Sequence, residues 1–236
     1  MYKKALDADP KMYAAALYIG DVYTQKQDWD NAEKSYQRAI TIDPLRETAY
    51  RYSGTPLMKQ KKYDLARERF IEAYITEPYN ELSSRGISQW AQITGAKLEQ
   101  PKVDIPEIKY AADGKATTIM KENSLTLGSK AWVAYSLTRE NWHKEKFVRS
   151  FPNEKTYRHT LQEEAESIRN VLKKSKDENL SNPHFDILRK LDTEGLLEAF
   201  ILLAKADEGI AQDHPAYLKD NRAKLRTYVT NYVIQK

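Results

Sequence analysis

Trp29-Asp30-Asn31-Ala32-Glu33-Lys34-Ser35-Tyr36-Gln37-Arg38-Ala39-Ile40-Thr41-Ile42-Asp43-Pro44 is answered 34 residues later by Tyr63-Asp64-Leu65-Ala66-Arg67-Glu68-Arg69-Phe70-Ile71-Glu72-Ala73-Tyr74-Ile75-Thr76-Glu77-Pro78. Trp29 falls in register with Tyr63, Ala32 with Ala66, Tyr36 with Phe70, Ala39 with Ala73 and Pro44 with Pro78. The same register reaches back to Tyr2, Ala5 and Pro10, and it pairs Gly20 with Gly54. A period of 34 residues is the length of a repeated helix pair. Such a pair cannot bury its apolar faces alone, so stacked neighbours share one core. Gly20, Ala32 and Ala39 mark close approaches between helices, and Tyr23, Trp29 and Tyr36 fill the space between pairs. Asp43-Pro44 and Glu77-Pro78 end a helix, because the residue before proline is pushed out of the α region. Asp28 and Asp30 flank Trp29 in a turn, where a short carboxylate caps the helix that follows.

These residues resemble the tetratricopeptide repeat family over residues 1–94. The resemblance implies an all-α chain that opens with a helix-turn-helix solenoid over 1–97. It comprises a partial repeat over 1–12, full repeats over 13–46 and 47–80, and a terminal first helix over 81–94 that carries Trp90. Gly95 and Pro101 interrupt what the family continues as a second helix. A chain that starts in mid-repeat reads as cut from something longer, so further repeats are expected upstream and the compartment stays unknown. Pro56, inside the first helix of the second full repeat, reads as a tolerated kink, a late helix start or a bend that opens a pocket on the concave face.

Between 98 and 128 the helical period disappears. Pro101, Pro106, Asp113-Gly114 and Gly128 punctuate an irregular connector. Val103, Ile105 and Ile108 read as one extended piece and Ala116 to Met120 as a second, forming either a packed connector along the solenoid edge or a two-stranded hairpin. The period returns over 129–236 as a helical bundle. A helix from Ser129 to Ser150 carries Trp132, Tyr135 and Trp142, and the next places Tyr157, Leu161, Ala165, Ile168 and Leu172 on one stripe. Helices after Asn182-Pro183, at Thr193-Glu194 and from His214-Pro215 complete it. The connector and bundle are expected to cover the solenoid end that carries Trp90.

The net charge of +4 is spread evenly: residues 1–97 carry 15 basic and 13 acidic side chains against 23 and 21 in the remainder. That distribution lacks the basic stripe of a nucleic-acid binder. The longest apolar run, Leu196 to Ala206, contains Glu198 and Lys205 and is too short to cross a bilayer, so no membrane insertion is expected of this chain. With no cysteine, disulfides, thiolate nucleophiles and cysteine-bound zinc are excluded. No G-x-S-x-G and no glycine-rich phosphate loop occurs. The chain reads as a soluble binding scaffold, not an enzyme, with no cofactor and with a protein or peptide partner.

By the family's register the concave groove is lined by Leu17, Asp21, Arg51, Thr55, Lys59, Arg85, Gln89 and Gln92. Of these, Asp21, Arg51, Thr55, Lys59, Arg85 and Gln89 are the candidate peptide-binding set. The cations favour an acidic partner unless they pair with Asp21, Glu47 or Glu81. Chaperone-tail binders of the family clamp a terminal carboxylate with lysine, asparagine and arginine. The corresponding positions here read Leu17, Asp21, Tyr52, Leu82 and Gly86, so that clamp is missing. The alternative is an enzymatic or metal-binding bundle for which the repeats recruit substrate. Glu140 and His143 share a helical face at E-x-x-H spacing, and His159 with Glu163 offers two further ligands.

Overall fold

The computed structural model describes residues 2–111, 114–119, 129–180 and 182–235. Asp113, Met120 and Gly128, three of the connector's markers, lie outside them. The fold is all-α, with two minimal two-stranded sheets among the described residues. It divides into two compact units: residues Met1–Glu99 together with Leu225–Lys236, and residues Gln100–Lys224. The expected bundle over 129–236 therefore ends early, since its last twelve positions belong with the first unit.

In the first unit, α1 (Tyr2–Ala8), α2 (Tyr13–Gln25), α3 (Trp29–Ile42), α4 (Glu47–Lys59), α5 (Tyr63–Thr76) and α6 (Glu81–Thr94) follow one another with short turns. Each packs on the next, and the alternate helices α2, α4 and α6 also touch in sequence. The helix starts keep the 34-residue spacing. So does the backbone between helices: Gln27 and Lys61 both take a left-handed conformation, at φ 58° and 59°. Gln27 N–H donates to the Thr24 carbonyl as Lys61 N–H does to that of Met58. Asp28 caps α3 by accepting from Asn31 N–H at 3.3 Å, whereas Lys62 at the equivalent site makes no side-chain cap.

The phased small residues sit under the phased rings. A Cβ on Gly20 would enter the Tyr36 ring, and one on either Gly54 or Gly86 would enter the Phe70 ring. Phe70 is thus gripped between glycines of α4 and α6, which lets those two helices close over α5. Ala32 and Ala66 are fully buried. Trp90 is buried as well, its indole N–H donating to the Tyr63 carbonyl at 3.0 Å. The helix does not start late at Pro56: α4 begins at Glu47 and runs through a buried Pro56. Ala66→Leu overfills this core and is expected to cost about 1–3 kcal/mol, read as a lower urea midpoint. Leucine at exposed Lys26 should leave the midpoint in place.

The end of the chain returns to this unit. Leu225, Tyr228 and Val229 are fully buried, and Arg226 pairs with buried Glu72 of α5. β1 (Lys97–Leu98) is paired antiparallel with β4 (Ile234–Gln235), and Glu99 N–H donates to the Val233 carbonyl at 2.9 Å.

In the second unit, β2 (Glu107–Tyr110) and β3 (Ala116–Ile119) form an antiparallel hairpin; of the expected first extended piece it includes Ile108, while Val103 and Ile105 lie before the strand. α7 (Ser129–Asn141) continues through a π-helical turn, Trp142–Lys146, into α8 (Phe147–Ser150). α9 (Leu161–Asp177) starts later than the stripe suggests, leaving Tyr157 outside it. Thr160 accepts from Glu163 N–H at 3.1 Å and caps the helix there, while Arg158 ties the preceding segment to Glu154 and Asp213. α10 (Pro183–Thr193) opens on an Asn182 cap. α11 (Leu197–Phe200) with the π turn Ile201–Lys205 is apolar nearly all round and central, and α12 (Glu208–Ala211) and the first part of α13 (His214–Tyr228) close the unit. Among the described residues no helix is long and apolar enough to cross a membrane.

Candidate functional site

The faces of α2, α4 and α6 that point away from the core carry the predicted groove residues. Three helical registers run across them at the repeat spacing: Leu17, Arg51 and Arg85; Asp21, Thr55 and Gln89; Gln25, Lys59 and Ile93. Thr55, Lys59, Arg85, Gln89 and Gln92 are exposed, and Asp21 and Arg51 are half-buried. Leu17 is buried and drops out of the lining set. Tyr18, Val22, Leu82 and Ile93 add exposed apolar surface to the same three helices.

The charges on this face are not equivalent. Arg51 is held by Glu47 one turn earlier, with Nε to Oε2 at 2.8 Å and Nη2 to Oε1 at 3.0 Å, and its guanidinium lies over the Tyr52 ring. Glu47 is buried, so this pair is part of the framework. Lys59 and Arg85 have no ion-pair partner among the described residues, although Glu81 lies one turn before Arg85 on α6. Asp21 accepts from the Tyr36 hydroxyl at 2.8 Å and has no cation partner among the described residues. Burial raises its carboxyl above the ordinary value, against the lowering effect of the Tyr36 hydrogen bond.

A cleft of about 610 Å³ lies elsewhere in this unit, between α3, the end of α4, α5 and Arg226. Its walls pair their own charges: Arg69 with Glu33 at 2.6 Å, and Arg226 with Glu72.

In the second unit the four metal-ligand candidates go separate ways. Glu140 pairs with Lys144 at 2.6 Å and accepts from Ala116 N–H. His143 is stacked on Tyr110 and edge-on to Tyr157, each with ring centres 4.4 Å apart. His159 and Glu163 belong instead to a buried ionic network built on Arg139. Among the described residues no group of three or more acidic or histidine side chains is placed to hold a metal ion.

That network was not foreseen from the sequence. Arg139 Nη1 donates to Glu164 Oε2 at 3.1 Å, and its Nε lies 2.6 Å from Glu163 Oε1 without hydrogen-bond alignment. The Tyr135 hydroxyl donates to Glu164 at 2.6 Å and the Tyr157 hydroxyl to Glu163 at 2.7 Å. His159 Nδ1 lies 2.7 Å from Asp207 Oδ2, and its Nε2 lies 2.6 Å from Arg139 Nη1 and 3.1 Å from Glu164 Oε2. Desolvation raises the Glu163 carboxyl. Glu164 is held low despite its burial by His159, Arg139 and Tyr135. At Asp207 desolvation is outweighed by bonds to His159 and the Ile210 N–H, which hold its carboxyl at about 2.

Burial opposes the imidazolium and Arg139 repels it, but the bonds to Asp207 and Glu164 outweigh both and raise the His159 pKa above its ordinary 6.5. A raised pKa in the folded state means that the protonated ring binds more tightly there. Its stabilisation is complete below the unfolded value and is lost as pH rises through the folded one. The melting temperature is therefore expected to fall from about pH 6.5 upward, with His159→Gln flattening that slope. An unchanged slope in the variant would remove His159 as its cause.

No protein-family model matches this chain. No curated protein matches it either.

Proposed function

We propose that this chain is a protein- or peptide-binding scaffold in which tetratricopeptide-like helix pairs present the outer faces of α2, α4 and α6 to a segment of a partner. One observation carries the reading. Three helices in lateral contact hold exposed polar, cationic and apolar side chains in common registers, and two of the cations are left without a partner inside the described chain. Arg85, without an ion-pair partner among the described residues, and exposed Tyr18 are of the residue types enriched at recognition surfaces. Lys59 and Arg85 are the cations available to carboxylates of the partner; Arg51 acts through its stacking on Tyr52.

Selection from a random-peptide display library tests this. The wild-type chain is expected to enrich carboxylate-bearing sequences whose binding weakens as salt rises, because exposed charge pairs are screened over about 8–10 Å. Lys59→Ala with Arg85→Ala should lose that enrichment while melting at the wild-type temperature, since exposed charges contribute about 0–1 kcal/mol each. Arg51→Ala is a poor probe, because it strands the buried Glu47 carboxylate. Undiminished enrichment by the double variant would place binding on another surface.

A further inference from the structure

Resting on that reading, we infer that the occupant is a dipolar segment: one carrying a basic group and an acidic group some distance apart, rather than a uniformly acidic one. The half-buried carboxylate on this face, Asp21, lies on α2, and the cations without an ion-pair partner among the described residues lie on α4 and α6, where exposed Glu81 precedes Arg85 by one turn. At the register of Asp21 the next two helices carry Thr55 and Gln89, and at the register of Arg85 and Arg51 the first helix carries Leu17. The half-buried acid without a cation is therefore at the α2 end of the face, and the cations without an ion-pair partner among the described residues lie beyond it on the middle helix and on α6, where Glu81 is exposed. Asp21 is also oriented. Tyr36, itself bonded to Thr24 at 3.0 Å, donates to Oδ1 and leaves Oδ2 without a partner among the described residues. A half-buried carboxylate with no cation of its own is a receptor for an ammonium or guanidinium group. Tyr18, one turn before Asp21 and half-exposed although its ring is tilted against that of Tyr2 with centres 5.2 Å apart, offers its remaining aromatic surface to the aliphatic stem of such a group.

The span sets the spacing. Helices in contact lie about 8–10 Å apart axis to axis, so α2 to α6 is roughly 16–20 Å across α4. An extended chain covers that distance in about five or six residues. The geometry thus asks for a lysine or arginine and a glutamate or aspartate at that separation, with either chain direction allowed.

Three end-blocked synthetic peptides of equal length decide the matter, titrated into the full chain and followed by amide NMR. The first has one lysine and two glutamates separated by about five residues. The second has the same composition with those residues adjacent, and the third has glutamate in place of the lysine. The first is expected to bind about fivefold more tightly than either of the others, the scale of one exposed ion pair. Asp21→Asn, which keeps an acceptor for Tyr36, should erase its advantage over the third. If the third binds as tightly as the first, the dipolar partner is wrong while the groove reading stands. If the first and second bind alike, the spacing is wrong. If none of the three perturbs residues of α2, α4 and α6, the groove reading itself fails.

Discussion

Arg139→Met is expected to unfold the 100–224 unit. Arg139 is 7% exposed, Glu163 0% and Glu164 3%, so the substitution strands two carboxylates with only Tyr135, Tyr157 and His159 as donors. Removing one partner of a buried ion pair costs about 3–5 kcal/mol, a large part of the stability of a unit this size. The matched variant, Arg139→Met with Glu163→Gln and Glu164→Gln, removes the charges together and should recover part of the loss. Urea unfolding followed by tryptophan fluorescence reads both, because Trp132 and Trp142 are buried in this unit. A single variant with the wild-type midpoint would mean that the network contributes little to folding.

Deleting Leu225–Lys236 is expected to be as damaging to the other unit. It removes the fully buried side chains of Leu225, Tyr228 and Val229, each contributing about 1.5–3 kcal/mol by burial. It also removes the Arg226 partner of buried Glu72 and the pairing partner of β1. The deleted chain should aggregate or lose helicity. The converse excision should not: joining Glu99 to Leu225 by a short glycine-serine linker removes 100–224 while keeping every contact of Met1–Glu99 with the returning segment. From Leu225 to Val233 is about 12 Å of helix, a gap that a six-residue linker spans. A folded deletion and an unfolded excision, by circular dichroism, would reverse this account of how the first unit is closed.

The repeat was legible because its causes are local in sequence. Gly54 must be small where the Phe70 ring crosses α4, and Ala66 must be small within a fully packed core, so the spacing writes itself into the residue types. The turn at Gln27 and Lys61 carried no such mark, since a left-handed glutamine and lysine look like any polar residues. The closing segment was hidden for another reason. Leu225, Tyr228 and Val229 advertise an apolar helical stripe but not the distant surface it covers, so they read as part of the bundle that precedes them. The ionic network was half visible. Trp132, Tyr135, Arg139 and Trp142 fall on one helical stripe of α7 and the π turn that continues it, so Arg139 interrupts an otherwise aromatic stripe. That signal was stronger than the spacing of Glu140 and His143, which placed a surface ion pair and a ring stack where ligands were expected. On the candidate face, the sequence placed the proposed residues on α2, α4 and α6 but could not show that the Glu47 paired with Arg51 is buried. Burial, not spacing, separates the framework cation from the two without an ion-pair partner among the described residues.

Site-specific photo-crosslinking tests the binding face most directly. A photoreactive amino acid at exposed Gln89 of α6, and separately at exposed Leu137 of α7, would be irradiated with library-selected peptides. Binding across α2, α4 and α6 predicts an adduct from position 89, abolished by Lys59→Ala with Arg85→Ala, and none from position 137. An adduct from position 137 with none from position 89 would contradict it.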